Sequence, residues 1–403
     1  MPVAQAENMF YNQIAMDWLQ KLALLSQDDG LEVDAEPNPG SEALPVCHPA
    51  RTTQTTTRLL DHISHVTLQG GRKIPVLKVL LTSVCEYNCA YCPFRVGRDF
   101  RRATFQPEEL ARAFLQIYNA GLVKGLFLSS GIAGGGIRTQ DRLIATAEVL
   151  RNKLGFQGYL HLKLMPGAEP AQVERAVALA SRVSINLEMP GNQYLEHWAP
   201  RKVPQSRMLE PLQLAHQAVL NQQYRSIRRW ISLTTQFVVG IGETDAELLQ
   251  ITAHLYRQLG LSRVYYSPFR PIEDTPLEDH PAENPHRALR LYQASFLLRD
   301  YGFSFDELPL NPDGRLALEV DPKMAWAQRY LTHPLEVNRA SREELIRVPG
   351  IGPKSALAII RARRLFRLRD LRQLRQLGVN VERAAPYLLL DGRQPARQLT
   401  LTF

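Results

Sequence analysis

From about residue 76 the chain alternates between two periodicities. Short runs with period two occur at Val76–Thr82, Gly125–Ser130, Gly158–Leu164, Val183–Glu188, Trp230–Val239 and Leu261–Ser267. Between them lie stretches whose apolar residues recur every three or four positions: Pro107–Ala120, Gln140–Leu154, Ala168–Ala180, Met208–Tyr224 and Asp245–Gln258. Period two places side chains on opposite faces of a strand, and a 3.6-residue period makes one apolar stripe on a helix. The pattern predicts strand–helix repetition around a parallel sheet. Six strands fit a partial (β/α)6 TIM-type barrel better than a closed eight-stranded one.

The strands carry a further signal. His161 and Lys163 share one face, and Leu160, Leu162 and Leu164 the other. Ser184, Asn186 and Glu188 alternate with Val183, Ile185 and Leu187; Ser232, Thr234 and Gln236 form a similar row. The apolar rows are expected against the outer helices and the polar rows inside. A barrel filled only for stability has branched apolar residues inside. A polar interior predicts a polar ligand, the alternative being a water-filled and internally satisfied lumen.

Three of the four cysteines stand within eight residues, Cys85-Glu-Tyr-Asn-Cys89-Ala-Tyr-Cys92, just after the first strand. Three thiolates on one short loop can hold three irons of a cubane and leave the fourth open. Clusters are usually held by four cysteines, so an open iron points to an exchangeable ligand. The competing reading is a zinc loop, but structural zinc normally takes four ligands in paired spacings.

The CxxxCxxC spacing, with Tyr91 before the last cysteine, resembles the radical S-adenosylmethionine (SAM) superfamily. The resemblance implies a 4Fe-4S cluster on Cys85, Cys89 and Cys92, whose open iron chelates SAM. Reductive cleavage would give a 5′-deoxyadenosyl radical that abstracts hydrogen from a substrate. It also implies cofactor contacts at several strand ends. Tyr91 would offer its backbone to adenine. Ser129-Ser130-Gly131 stands where many members carry Gly-Gly-Glu for the methionine amino group. Asn186 and Glu188 fall where ribose and methionine contacts are expected, and Lys163 is a further candidate cofactor contact. Gln236 and the segment with Val239 and Gly240 would pack near adenine, and Ser267 would close the site at the sixth strand. Glu243 and Thr244 have the simpler reading of a helix start. The four arginines at 95, 98, 101 and 102 read either as a phosphate grip or as a solvated loop.

The charge is uneven. The chain carries 48 Lys and Arg against 40 Asp and Glu, a net of +8. Residues 339–397 hold 14 basic against 5 acidic side chains, which leaves the remainder at −1. A basic module on a near-neutral body favours a polyanionic partner. Its sequence contains Val348-Pro-Gly350-Ile351-Gly352-Pro-Lys354-Ser355 between two short helical patterns, with Ser341 and Glu344 as a capping box. This resembles a helix-hairpin-helix motif. Gly350 and Gly352 allow a tight turn, the bare backbone N–H groups around Ile351 and Ser355 can cradle a phosphate, and Lys354 adds charge. Leu374 to Ala384 is a degenerate second copy, with Asn380 replacing the second glycine. The alternative for the module is protein docking.

Taken in order, these motifs resemble radical SAM proteins assigned to DNA modification or repair. That resemblance implies DNA as partner, a uracil-DNA-glycosylase-like protein as a further one, and an electron donor such as flavodoxin or ferredoxin. Gln398, Leu399, Leu401 and Phe403 resemble the peptide that binds the bacterial sliding clamp.

The expected organisation is an N-terminal helix and linker (1–70), the barrel (71–330), a small all-α hairpin domain (331–390) and a tail (391–403). Residues 8–25 read as an amphipathic helix docked on the main domain. Cys47 reads as an incidental thiol, a ligand or a hydrogen-atom donor. With four cysteines, three of them bunched, no disulfide framework is expected, which favours a reducing cytoplasm. No apolar run reaches membrane-spanning length, and the N-terminus lacks a basic secretory leader. The resulting expectation is a radical SAM enzyme acting on a DNA base or sugar. An RNA-modifying enzyme and a non-catalytic DNA-binding scaffold are the alternatives.

Overall fold

The structure is a computed structural model and describes residues 18–26, 63–68, 72–224 and 231–395. Cys47 and the terminal peptide 398–403 lie outside the described residues. The chain divides into two compact units. Within the described residues the first holds 18–26, 63–243 and 257–284, and the second holds 244–256 and 285–395.

The first unit is a curled sheet of seven strands in sequential order. They are β1 (Ile63–Thr67), β2 (Lys73–Leu80), β3 (Gly125–Ser129), β4 (Tyr159–Lys163), β5 (Arg182–Ser184), β6 (Ser232–Val239) and β7 (Arg263–Pro268). Strands β2 to β7 are parallel and supply the six strands read from the sequence. Strand β1 is the addition: it pairs antiparallel with β2, from Ile63 opposite Leu77 to Thr67 opposite Lys73. Its polar composition, Ile-Ser-His-Val-Thr, hides it, because an edge strand lacks the double-sided apolar cover of its neighbours.

The helices start where local chemistry starts them. Helix α1 (Pro107–Asn119) has proline in its first turn, where the missing N–H costs nothing. Glu109 returns its carboxylate to the Gln106 N–H at 3.1 Å. Helix α2 (Gly136–Glu148) begins four residues ahead of its periodic signal and continues through a π-turn at Val149–Lys153. Helix α3 (Pro170–Leu179) repeats the proline start. Leu77, Leu81, Leu126, Leu128, Leu160, Leu162 and Val183 are wholly buried on the outward face of the sheet. Residues 18–25 are helical, with Leu22 and Leu25 buried and Lys21 paired to Glu109 at 2.8 Å.

The second unit is helical. It contains α4 (Pro285–Asp300), α5 (Pro322–Tyr330), α6 (Arg342–Arg347), α7 (Pro353–Ala362), α8 (Leu371–Gln376) and α9 (Val381–Ala384). A two-residue parallel pair, Leu335–Glu336 with Leu388–Leu389, ties its ends. One core of Val337, Leu345, Val348, Ile351, Ile359, Leu368, Leu374 and Leu388 joins both hairpins. Among the described residues no helix is long and apolar enough to cross a membrane.

Candidate functional site

The sheet register stacks the inward residues in layers. Lys78, Phe127, His161, Arg182 and Ser232 are register partners across five strands. One step up, Lys163, Ser184, Thr234 and Arg263 align. His161 shares a 2.7 Å hydrogen bond with Ser184 Oγ, and burial holds its pKa well below the usual histidine range. Arg182 donates to Ser232 Oγ at 2.9 Å and to the Tyr265 hydroxyl at 3.0 Å. Thr234 Oγ1 and Gln236 Oε1 are buried and have no hydrogen-bond partner among the described residues. Unsatisfied buried polar atoms are costly, and ordered water or a bound polar ligand satisfies them.

The layers end in an open cavity. Its wall brings together Cys85, Cys89, Tyr91, Cys92, Ser129, Ser130, Gly131, Lys163, Asn186 and Glu188. Gln236, Val239, Gly240 and Ser267 are not on that wall. Strand β5 stops at Ser184, so Asn186 and Glu188 lie beyond it. Glu188 has φ of 66°, a left-handed conformation that side chains seldom adopt. Strand β6 holds it there on both sides: Glu188 N–H donates to Gln236 O at 3.0 Å, and Val238 N–H donates to Glu188 O at 2.8 Å.

The cavity also contains a residue with no mark in the sequence. Lys202 Nζ meets Glu188 Oε1 at 3.1 Å, both side chains nearly buried. Burial alone would lower the Lys202 pKa, but Glu188 and then Cys89 raise it above the ordinary lysine value. Lys202 arrives on the segment after a short helix, Asn192–Trp198, which the periodicity also omits. That segment is fastened to the cysteine loop: Ala90 N–H donates to Trp198 O at 2.7 Å, and Arg201 N–H to Asn88 Oδ1 at 3.1 Å. Lys163 donates to Asn186 Oδ1.

The cysteine loop is built before any ligand is considered. Gly131 N–H donates to Thr82 O at 2.8 Å, and Glu86 N–H to Ile132 O at 2.9 Å. A Cβ on Gly131 would stand 2.3 Å from Val84 O, so the close approach requires glycine. Arg102 reaches four backbone carbonyls, those of Ser83, Phe94, Arg95 and Arg98. Arg98 reaches Pro93 O and Glu273 O, and Arg95 reaches Asn88 O. These three arginines staple the loop; that use differs from both readings made from the sequence. The Val239–Gly240 turn is similarly self-contained, since Glu243 accepts from Gly240 N–H at 2.8 Å and Ile241 N–H at 3.1 Å. Thr244 starts the following helix, with Glu247 N–H donating to its Oγ1 at 3.2 Å.

The fit of the thiols to a cluster is testable here. All three are free, and burial pushes the Cys89 and Cys92 thiols up. A buried thiol becomes a thiolate readily only beside a cation, and a coordinated metal supplies it. Among the described residues no three His, Cys, Asp or Glu side chains are grouped to hold a single metal ion. A cubane does not require that closeness, because each thiolate takes its own iron. The donor set therefore fits the cluster.

The hairpins of the second unit divide their labour. Gly350 has φ of 85°, and a Cβ there would stand 2.3 Å from Asn380 O. Ile351 is fully buried, and its carbonyl accepts from Lys323 Nζ at 2.6 Å. Ser355 Oγ donates to Gly378 O at 2.7 Å. Those three side positions hold the fold together. Gly352 is the N-cap of α7 and has no side chain to cap the helix, while Lys354 is exposed. That helix N-terminus therefore has no capping side chain of its own. In the second copy Asn380 caps α9 with its own side chain, accepting from Arg383 N–H.

Comparisons with known proteins fit both halves. Residues 79–255 match the Radical SAM superfamily, and residues 335–362 match the Helix-hairpin-helix motif. An uncharacterized protein of Methanocaldococcus jannaschii is 23% identical over 232 residues, 56% of this chain and 57% of that one. The chain thus spans little more than half the length of this relative. Among solved structures, the FeFe-hydrogenase maturase HydG from Carboxydothermus hydrogenoformans is similar over 56% of this chain and 51% of its own, with TM-score 0.45 and 14% identity. Methylornithine synthase is similar over 56% of this chain and 61% of its own, with TM-score 0.44 and 14% identity. The chain carries a radical SAM superfamily domain, with its cysteines in the CxxxCxxC pattern, followed by a helix-hairpin-helix motif.

Proposed function

We propose that the protein is a radical SAM enzyme acting on a nucleic acid, with DNA the preferred substrate and structured RNA the competitor. Cys85, Cys89 and Cys92 would hold the 4Fe-4S cluster. Ser129, Ser130, Lys163, Asn186 and the Glu188–Lys202 pair would bind the amino acid and ribose portions of SAM. When bound, the cluster and SAM supply the reductive cleavage that gives a 5′-deoxyadenosyl radical. The residues of this chain orient the cofactor, and the stapled loop fixes where the thiolates stand.

One observation carries the nucleic-acid reading: the first hairpin leaves a helix N-terminus uncapped beside an exposed lysine, whereas the second caps itself. A bare helix N-terminus favours phosphate and reads no sequence. The surrounding excess of arginine fits the same partner. A repair role, a glycosylase-like partner, a sliding-clamp contact, a flavodoxin or ferredoxin donor and a cytoplasmic location complete this reading.

The test is anaerobic reconstitution with iron and sulfide, followed by dithionite and SAM. The enzyme reading expects 5′-deoxyadenosine; its absence from a cluster-loaded protein supports the scaffold instead. Competition between duplex DNA and tRNA for the same protein separates the substrates. Mass spectrometry of DNA from cells with and without the gene then identifies the product.

A further inference from the structure

Helix α7 carries a stripe that neither the core nor the phosphate cradle uses. Lys354, Leu357, Arg361, Arg364 and Leu365 are exposed and follow the three- and four-residue steps of one helical face. The helical path continues past Ala362: Leu365 N–H donates to Ala362 O at 2.9 Å, and Phe366 N–H to the same oxygen at 3.1 Å. From Lys354 to Leu365 the stripe therefore runs ~16 Å, its last two members in the turn that follows α7.

Its far end is apolar and stands in water. Leu365 is 84% exposed, the most of any large apolar side chain among the described residues, and the adjacent Phe366 is 49% exposed. Single exposed apolar residues are ordinary. Here, however, a leucine and a phenylalanine are both exposed at consecutive positions in the turn after α7, with Arg361, Arg364 and Arg367 close by in sequence. No described carboxylate pairs with Lys354, Arg361 or Arg364, while Arg367 and Arg369 share Asp391. Unpaired cations around an apolar tip complement a polyanion that has apolar faces between its charges. Nucleic acid has this character, with phosphates outside and bases within.

We propose that Leu365 and Phe366 form an apolar wedge that packs against an unstacked base of the nucleic acid held by the hairpin, with Arg361 and Arg364 on the flanking phosphates. This rests on the nucleic-acid reading above. Leucine and phenylalanine wedges are used by architectural proteins to open base steps, and base–aromatic stacking tolerates any sequence. The wedge assigns the motif a preference for distorted or single-stranded sites, where unstacking costs least.

The experiment uses the full-length protein and short duplexes with a single 2-aminopurine, either paired or opposite a mismatch. Wild-type binding should raise 2-aminopurine fluorescence several-fold, more at the mismatch. Leu365→Ala with Phe366→Ala should abolish that rise and weaken mismatch binding about tenfold. Its salt dependence should stay unchanged, because no charge is removed. Arg361→Gln with Arg364→Gln should instead flatten the log–log salt slope by about 2. Phe366→Trp should restore the signal. An unchanged fluorescence rise in the double alanine variant overturns the wedge and leaves the nucleic-acid reading intact. Loss of binding only to phosphatidylserine vesicles would assign the tip to a membrane and overturn it too. A wild type that binds no oligonucleotide removes both.

Discussion

The amide of Asn380 donates to the carbonyl of Gly350 at 2.9 Å, so the tip of one hairpin is bonded to the tip of the other. The same contact leaves no room for a side chain at Gly350, whose Cβ would meet Asn380 O. The two glycines of the motif therefore do different things. Gly352 has φ of −94°, and a Cβ there would meet only the Tyr301 hydroxyl at 3.5 Å.

From this contrast, Gly350→Ala should destabilise the second unit by about 1–3 kcal/mol from the left-handed backbone alone, with the clash adding to it. Gly352→Val should cost only about 1 kcal/mol, that of a poorer helix cap, while lowering DNA affinity at every sequence. Thermal melts and filter binding on both variants check it. Equal stability losses would mean both glycines are structural.

Lys202 and Glu188 give a second prediction. Removing one member of a nearly buried pair strands the other, at a cost on the order of 3–5 kcal/mol. Lys202→Met should thus destabilise the protein more than Lys202→Met combined with Glu188→Gln. Calorimetric titration should show weaker SAM binding to Glu188→Gln, with iron content unaltered. Unchanged affinity would remove Glu188 from the cofactor site.

Lys323 makes the fold sensitive to pH. Burial lowers its pKa to about 7, with Asp321 opposing the shift and Arg383 and Arg347 aiding it. Between about 7 and the ordinary lysine value the unfolded chain binds a proton that the folded chain does not. Stability should therefore rise with pH across that window, by about 1.4 kcal/mol per unit at most, and flatten below it. Denaturant midpoints from pH 6 to pH 10 should show a smaller rise in Lys323→Met than in wild type. Parallel curves would show that Lys323 stays charged.

Cys89→Ala should lose the cluster. Wild type reconstituted without oxygen should bind about four irons per chain, as a cubane requires, and the variant far fewer. A wild type that takes zinc and no iron would contradict the assignment.

The sequence made the parallel strands legible because each alternates apolar and polar residues, and the three cysteines legible because their spacing is local. What it concealed was set by contact. Lys202 stands in the site because Trp198 and Arg201 are bonded to the cysteine loop, and no spacing within 190–204 announces that. Glu188 was visible as a polar strand residue, but its left-handed backbone depends on β6. Lys323 has no mark in the sequence, and only the fold places Ile351 O beside it. The arginines after the cysteines announced their charge but not their targets.

Those arginines bear on what gives the cysteine loop its shape. Many small metal-binding loops are shapeless until the metal arrives, and ligation is then what folds them. Here Arg95, Arg98 and Arg102 clasp the loop through its own carbonyls, and Gly131 locks it to the sheet. The spacing of the three thiols is therefore set by arginines outside the cysteine motif as much as by the motif itself.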